Sequence, residues 1–371
     1  MTSPSQLVSY IAPGAPATRR RASGAEPHLR PEIGFTPKWY RDALGIDFGE
    51  RWHTDPKHRL NCVRQMRDEI RRRFPNTDIG GLRDPHAPID ILTGTYGACT
   101  IAGIYGLPIL YHDDNWPIAA QQYLSDAEMA AITPPDLDTN PFFQSLMQQV
   151  DWIGDAMGVI TGFVNWQGVL NNAHRLRGES LFIDMLTEPE ACQRLFDCVC
   201  TTMIDATQRL HTVQWASGFP VSFCTVSNCL VNMVSPEIYR EQLLPFDKRL
   251  AEAFGCIGVH NCAWTVDGYL DAYADIPHLG YIDMGLESNL PEARNSTSSA
   301  RRAVMYRPTE LADKSDEVLR GDLERIAIEL GPCDVVFADI ESGTPDERVI
   351  NVVQWCDEIG KRTASAVGSG R

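Results

Sequence analysis

Short apolar runs alternate with longer helical patterns along most of this 371-residue chain, and that alternation limits the architectures open to it. The strand candidates are Ile89–Thr93, Leu107–His112, Val159–Val164, Val221–Thr225, Cys256–His260, Tyr281–Met284, Ala303–Tyr306 and Asp334–Asp339. Several are continuous apolar runs, as parallel strands covered on both faces should be. The intervals contain helix starts with a physical signature. Ser125-Asp126-Ala127-Glu128 and Thr344-Pro345-Asp346-Glu347 read as capping boxes, and Ser235-Pro236-Glu237 opens a helix with the apolar stripe Ile238, Leu243, Leu244, Leu250 and Phe254. Eight strands alternating with helices predict an α/β fold, a (β/α)8 TIM-type barrel in a single domain. A doubly wound open sheet is the alternative, disfavoured because no Gly-rich turn links a strand to a helix.

The expected boundaries are a flexible N-terminal arm over 1–33, the barrel over 34–364 and a flexible tail over 365–371. The arm is rich in Pro, Ala, Ser and Gly and carries the basic cluster Arg19-Arg20-Arg21. Formal net charge is −16, which argues against nucleic acid or an anionic membrane as a partner. No apolar run reaches the roughly 18 residues of a membrane helix, and no secretory h-region opens the chain. The 11 cysteines then read as reduced thiols in a cytoplasmic protein, and Cys198 and Cys200 as core residues that cannot share a helix face.

A barrel gathers its functional residues at the C-terminal ends of its strands. Those ends supply His112, Asp113 and Asp114, then Asn165, Trp166 and Gln167, then Ser227 and Asn228. Further on come His260 and Cys262, Asp283 and Glu287, Arg307, and Asp339 and Glu341. His260 and Cys262 offer imidazole nitrogen and thiolate sulfur, the donors zinc favours. The alternative is a chance His-x-Cys in which Cys262 is a small buried hydrophobe. Asp339 and Glu341 are the expected further ligands. Asp113, with His112, is the expected acid–base group, because adjacent carboxylates repel and one can keep its proton. A capped, solvated turn would explain the same residues. Asn165, Trp166, Asn228, Asp283 and Arg307 are expected to line the pocket of a small-molecule substrate. No Walker A, GxGxxG, GxSxG, HExxH or CxxC motif occurs.

Several segments resemble the uroporphyrinogen decarboxylase superfamily. They are Pro37-Lys38-Trp39-Tyr40-Arg41-Asp42-Ala43-Leu44-Gly45, Gly178-Glu179-Ser180 with Leu186-Thr187-Glu188-Pro189-Glu190, Val234-Ser235-Pro236-Glu237-Ile238-Tyr239, His260-Asn261-Cys262, and Gly343-Thr344-Pro345-Asp346-Glu347. They fall in the expected order over roughly residues 35 to 360. The resemblance implies a (β/α)8 barrel, often a homodimer. One branch, metal-free decarboxylases, implies Arg41 and Asp113 as substrate-handling residues on a carboxylated pyrrolic or aromatic compound. The other, methyltransferases working with corrinoid proteins or thiols, binds zinc through His-x-Cys and a later Cys. This chain fits the second branch better, through His260 and Cys262, but carries Ala338-Asp339 where the later Cys is expected. A zinc-dependent methyltransferase partnered by a corrinoid protein is therefore the expected activity. Carboxy-lyase is the alternative, and a non-catalytic binding barrel the third reading.

Overall fold

A computed structural model describes residues 22–79 and 88–369. Six strands form one parallel sheet in the order β1-β8-β7-β6-β5-β4. They are β1 (Leu29–Phe35), β4 (Cys224–Ser227), β5 (Ile257–His260), β6 (Leu279–Met284), β7 (Arg301–Met305) and β8 (Cys333–Ile340). The remaining two, β2 (Ile109–Leu110) and β3 (Ile118–Ala119), make a small antiparallel hairpin apart from the sheet. Strands β4, β5 and β6 are buried at every position.

The two faces of the sheet bury different cores. One large cluster joins the sheet to the surrounding helices. A second, separate cluster holds Phe223, Cys256, Tyr281, Ala303, Val336 and Ala338, residues contributed by or just before β4 to β8. Side chains from five adjacent strands therefore meet on the inner face, as they do when a sheet curls on itself.

Two of the expected strands do not form. Asp90 captures the N–H groups of Leu92 and Thr93 at 3.0 Å each, so the 89–93 segment satisfies its backbone locally. Residues 159–168 are held by side chains instead: Phe163 donates to Thr93 Oγ1 at 3.0 Å, and Gln214 Nε2 reaches the Gly162 carbonyl at 2.8 Å. Among the described residues the ladder thus stays open at β1 and β4, and a closed eight-stranded ladder is not present. The expected strand Leu107–His112 is replaced by the short β2, outside the sheet.

The sheet gains a strand the patterning did not predict. β1 begins at Leu29, inside the segment expected to be a flexible arm, and pairs with β8 from Leu29↔Cys333 to Phe35↔Ile340. Its polar look is explained by Asp334, fully buried between two guanidiniums. Arg30 donates to it at 3.0 and 2.8 Å, and Arg301 Nε at 2.9 Å. At the other end, the helix Asp346–Ser369 runs past the expected boundary at 364. Residues 1–21 and 370–371 lie outside the described residues.

Thr36 caps the first helix, Pro37–Leu44, by accepting from Trp39 N–H, and Gly45 closes it at φ 69. Its Trp39 stacks near Phe35, ring centroids 4.3 Å apart, and lies under the Arg73 guanidinium, which also pairs with Asp346 of the last helix. The chain's first and last helices are so joined over one edge of the sheet. The capping box at Ser125 and the Ser235 cap both form.

Candidate metal centre

β5 ends at His260, and the chain then turns through Asn261 and Cys262. Cys262 adopts φ 55, a left-handed conformation uncommon for a side chain of this kind. The turn is held from β6: Asn261 N–H donates to Asp283 Oδ1 at 2.7 Å, its side chain to the Asp283 carbonyl at 2.9 Å, and Tyr273 OH to Asn261 Oδ1 at 2.6 Å. β4, the neighbouring strand, ends in Ser227, paired with His260. Asn228 N–H donates to the His260 carbonyl at 2.7 Å, and its side chain to the buried Asp247 at 2.8 Å. The next residue, Cys229, is thereby delivered beside His260. Gly168 permits this approach, since a Cβ there would lie 2.3 Å from the Ser227 carbonyl oxygen.

Cys229, His260 and Cys262 place one ligand atom each within 4.8 Å of one another. Cys262 Sγ is 2.8 Å from Cys229 Sγ, longer than a covalent S–S bond, and 3.1 Å from His260 Nε2. His260 Nδ1 is bound to Asp283 Oδ2 at 2.7 Å, which leaves Nε2 facing the sulfurs. Asp283 also accepts from Tyr281 OH at 3.0 Å and is 1% exposed. A carboxylate–histidine pair of this kind fixes the ring of a metal-ligating imidazole.

The electrostatics follow from that geometry. The hydrogen bond from Cys262 pulls the Cys229 thiol well below the usual range, against the effect of burial, with the His260 charge adding to the pull. The same hydrogen bond, and then burial, pushes Cys262 the other way, so the two sulfurs share one proton. Burial opposes a charge on His260, but Asp283 and then the two sulfurs outweigh it and raise its pKa well above normal. Two soft sulfurs and an oriented imidazole suit zinc. Bonds of about 2.3 Å to sulfur and 2.0–2.1 Å to nitrogen need donors roughly 3.5–3.8 Å apart in a tetrahedron, an opening of about 1 Å or less from the present spacing.

Of the expected ligands, His260 and Cys262 come together, while Asp339 and Glu341 bring no oxygen into the group. Cys229 occupies the third place. Nothing in the sequence marks it except its position just past a buried strand next in order to β5. Asp339 ends β8 at φ 55 and feels the His260 charge from outside the donor set. Its side chain is open to solvent yet walled by protein, and burial there raises its pKa. Glu341 is exposed and accepts from Thr36 Oγ1 at 3.5 Å.

Other expected site residues are placed differently. Asp283 was expected to face substrate, but it is buried behind His260. Asn228 faces Asp247, and Trp166 is 3% exposed in the core. Asn165 accepts from Gln167 Nε2 at 2.9 Å, and Arg307 pairs with Glu287 at 3.1 Å across the mouth. His112 and Asp113 lie exposed at the β2–β3 hairpin, where Arg41 pairs with Asp113 at 2.8 Å. Arg41 and Asp113 pair with each other there, at the surface. Gln167, at φ 60 and bonded to Ser227, joins Cys262 and Asp339 at this end of the strands. Backbone conformations of that kind cluster where function holds them in place.

No protein-family model and no curated protein matches the chain. Among solved structures, it shares its fold with a methyltransferase from Methanosarcina mazei, at a TM-score of 0.62 and 14% identity over 90% of this chain and 94% of that one. A candidate vitamin-B12-independent methionine synthase from Listeria monocytogenes aligns at a TM-score of 0.39 and 13% identity, covering 62% of this chain and 72% of that one. A score that low does not establish a common fold. The first likeness shows the fold alone, an α/β fold with a parallel sheet, and at the ends of its strands this chain carries a Cys–His–Cys cluster.

Proposed function

We propose that this protein is a zinc-dependent methyltransferase that moves a methyl group between a small molecule and a corrinoid or thiol acceptor. The observation that carries the reading is the convergence of Cys229, His260 and Cys262, with His260 oriented by Asp283. Cys229 Sγ, His260 Nε2 and Cys262 Sγ would hold the ion. Bound there, zinc supplies Lewis acidity, which lowers the pKa of a thiol or hydroxyl or polarises a methyl ether oxygen. Asp283 keeps the imidazole in one orientation through Nδ1. Asp339, beside His260 and with a raised pKa, is the group placed to hold the proton released at the acceptor. It takes the role expected of Asp113 or His112. The ordered motifs that resemble the uroporphyrinogen decarboxylase superfamily, the His260-x-Cys262 pair that fits its methyltransferase branch, and the fold shared with a methyltransferase support the reaction class. A corrinoid carried by a partner protein is the methyl carrier that this resemblance favours.

Metal content of purified protein tests the reading. Wild type and Asp339→Asn are expected to carry about one equivalent of zinc, and Cys229→Ser and His260→Ala roughly a tenth or less. Zinc absent from the wild type, or equal in all four proteins, overturns it. Turnover with methyl ethers or methylamines, read as methylated thiol or corrinoid by mass spectrometry, then tests the transfer.

A further inference from the structure

The helix Val169–Arg177 carries Asn171 and Arg175 one turn apart, with Gln167 a turn earlier. Asn171 Nδ2 donates to Gln167 Oε1 at 3.0 Å. Arg175 Nη1 donates to the same oxygen and to the Asn171 carbonyl, each at 3.3 Å. The row is pinned to the loop that carries Cys229: Leu230 N–H donates to Asn171 Oδ1 at 3.2 Å, and Gln167 Nε2 to Ser227 Oγ at 3.4 Å. The Arg175 charge reaches Cys229 on one side and Cys99 on the other.

Arg175, half-buried, differs from Arg30, Arg59, Arg301 and Arg302. Arg59 spends Nε, Nη1 and Nη2 on carbonyls and Gln149, and Arg302 binds carbonyls with all three nitrogens. Arg30 and Arg301 share Asp334. Arg175 engages Nη1 alone, and among the described residues no carboxylate pairs with it. Its Nε–Nη2 edge is the fork that takes a planar carboxylate through two parallel hydrogen bonds. Partial burial lowers its pKa, and no carboxylate among the described residues offsets that effect.

We infer that the Nε–Nη2 edge of Arg175 binds a carboxylate of the small molecule handled at the Cys229–His260–Cys262 cluster. Gln167 and Asn171 fix the guanidinium, and the reacting heteroatom of the same molecule faces the sulfurs. The position of that reacting atom rests on the metal reading above, whereas the carboxylate contact does not.

Calorimetric titration of the full-length, metal-loaded protein with mercaptoacetate and with its neutral counterpart mercaptoethanol tests the inference, with mercaptopropionate and mercaptopropanol as a longer pair. In the wild type, the acid of at least one pair should bind tenfold or more tightly than its neutral partner. Arg175→Gln should abolish that ratio and leave the neutral thiol's affinity unchanged, and Arg175→Lys, which keeps charge but not the fork, should give an intermediate ratio. The lysine variant decides the matter should the glutamine variant misfold by circular dichroism. No acid preference in the wild type for either pair, or a preference that survives Arg175→Gln, overturns the inference. If the metal reading alone fails, the protein carries no zinc and His260→Ala binds both thiols like the wild type, while the acid-to-neutral ratio still judges Arg175.

Discussion

At the scale of single residues, Asp283 holds the His260 ring through Oδ2 and the Asn261 N–H through Oδ1. Asp283→Asn is expected to weaken zinc binding about 10- to 100-fold with little change in fold, read by competition with a chelator. Asp247 makes a pH prediction. Burial raises its pKa from 3.8 to about 6, with Tyr239 and Asn228 as hydrogen-bond donors. Between those values the native chain holds a proton that the unfolded chain has lost. Stability contributed by this group is therefore full below about pH 4 and fades as pH rises through about 6, by roughly 1.4 kcal/mol per unit. Thermal melts of Asp247→Asn should lack that part of the slope. His260 and Cys262 were legible because they lie two apart at the end of an apolar run. Cys229 and Arg175 were not, since each is brought in from another element by contacts that leave no local pattern.

Among elements, strands that bury both faces announced themselves, and β4 to β8 each overlap an apolar run found in the sequence. β1 escaped notice because Arg30 and Glu32 make it look solvated, and only Asp334, some 300 residues away, reveals why an arginine belongs there. The runs at 89–93 and 159–164, expected as strands, enter no ladder, and Asp90, Thr93 and Gln214 supply hydrogen bonds that a ladder would otherwise provide. Asp334 is the fastening between β1, β8 and β7. Arg30 and then Arg301 hold its pKa low against the effect of burial. Asp334→Ala leaves the buried Arg301 guanidinium without a carboxylate and Arg30 with Glu32 alone, and should lower stability by about 3–5 kcal/mol, measured by urea unfolding.

For the whole molecule, charge and fold class were readable from composition and alternation, while curvature was not. The inner cluster from Phe223 to Ala338 appears only once five strands are laid side by side. A formal charge of −16 predicts no retention on heparin and a melting temperature that climbs modestly from low to physiological salt as self-repulsion is screened. Among the described residues no helix is long and apolar enough to cross a membrane.

β4 is a four-residue strand at the border of the sheet, and Cys229 hangs just beyond its tip, while His260 and Cys262 belong to the better-flanked β5. The donor trio therefore straddles a seam. Fraying of that border would separate one sulfur from its companions long before the body of the protein melts, so ion retention during gentle warming should report the health of the seam. Amide exchange should be fastest there among the sheet's inner residues, and slow markedly once the trio is filled.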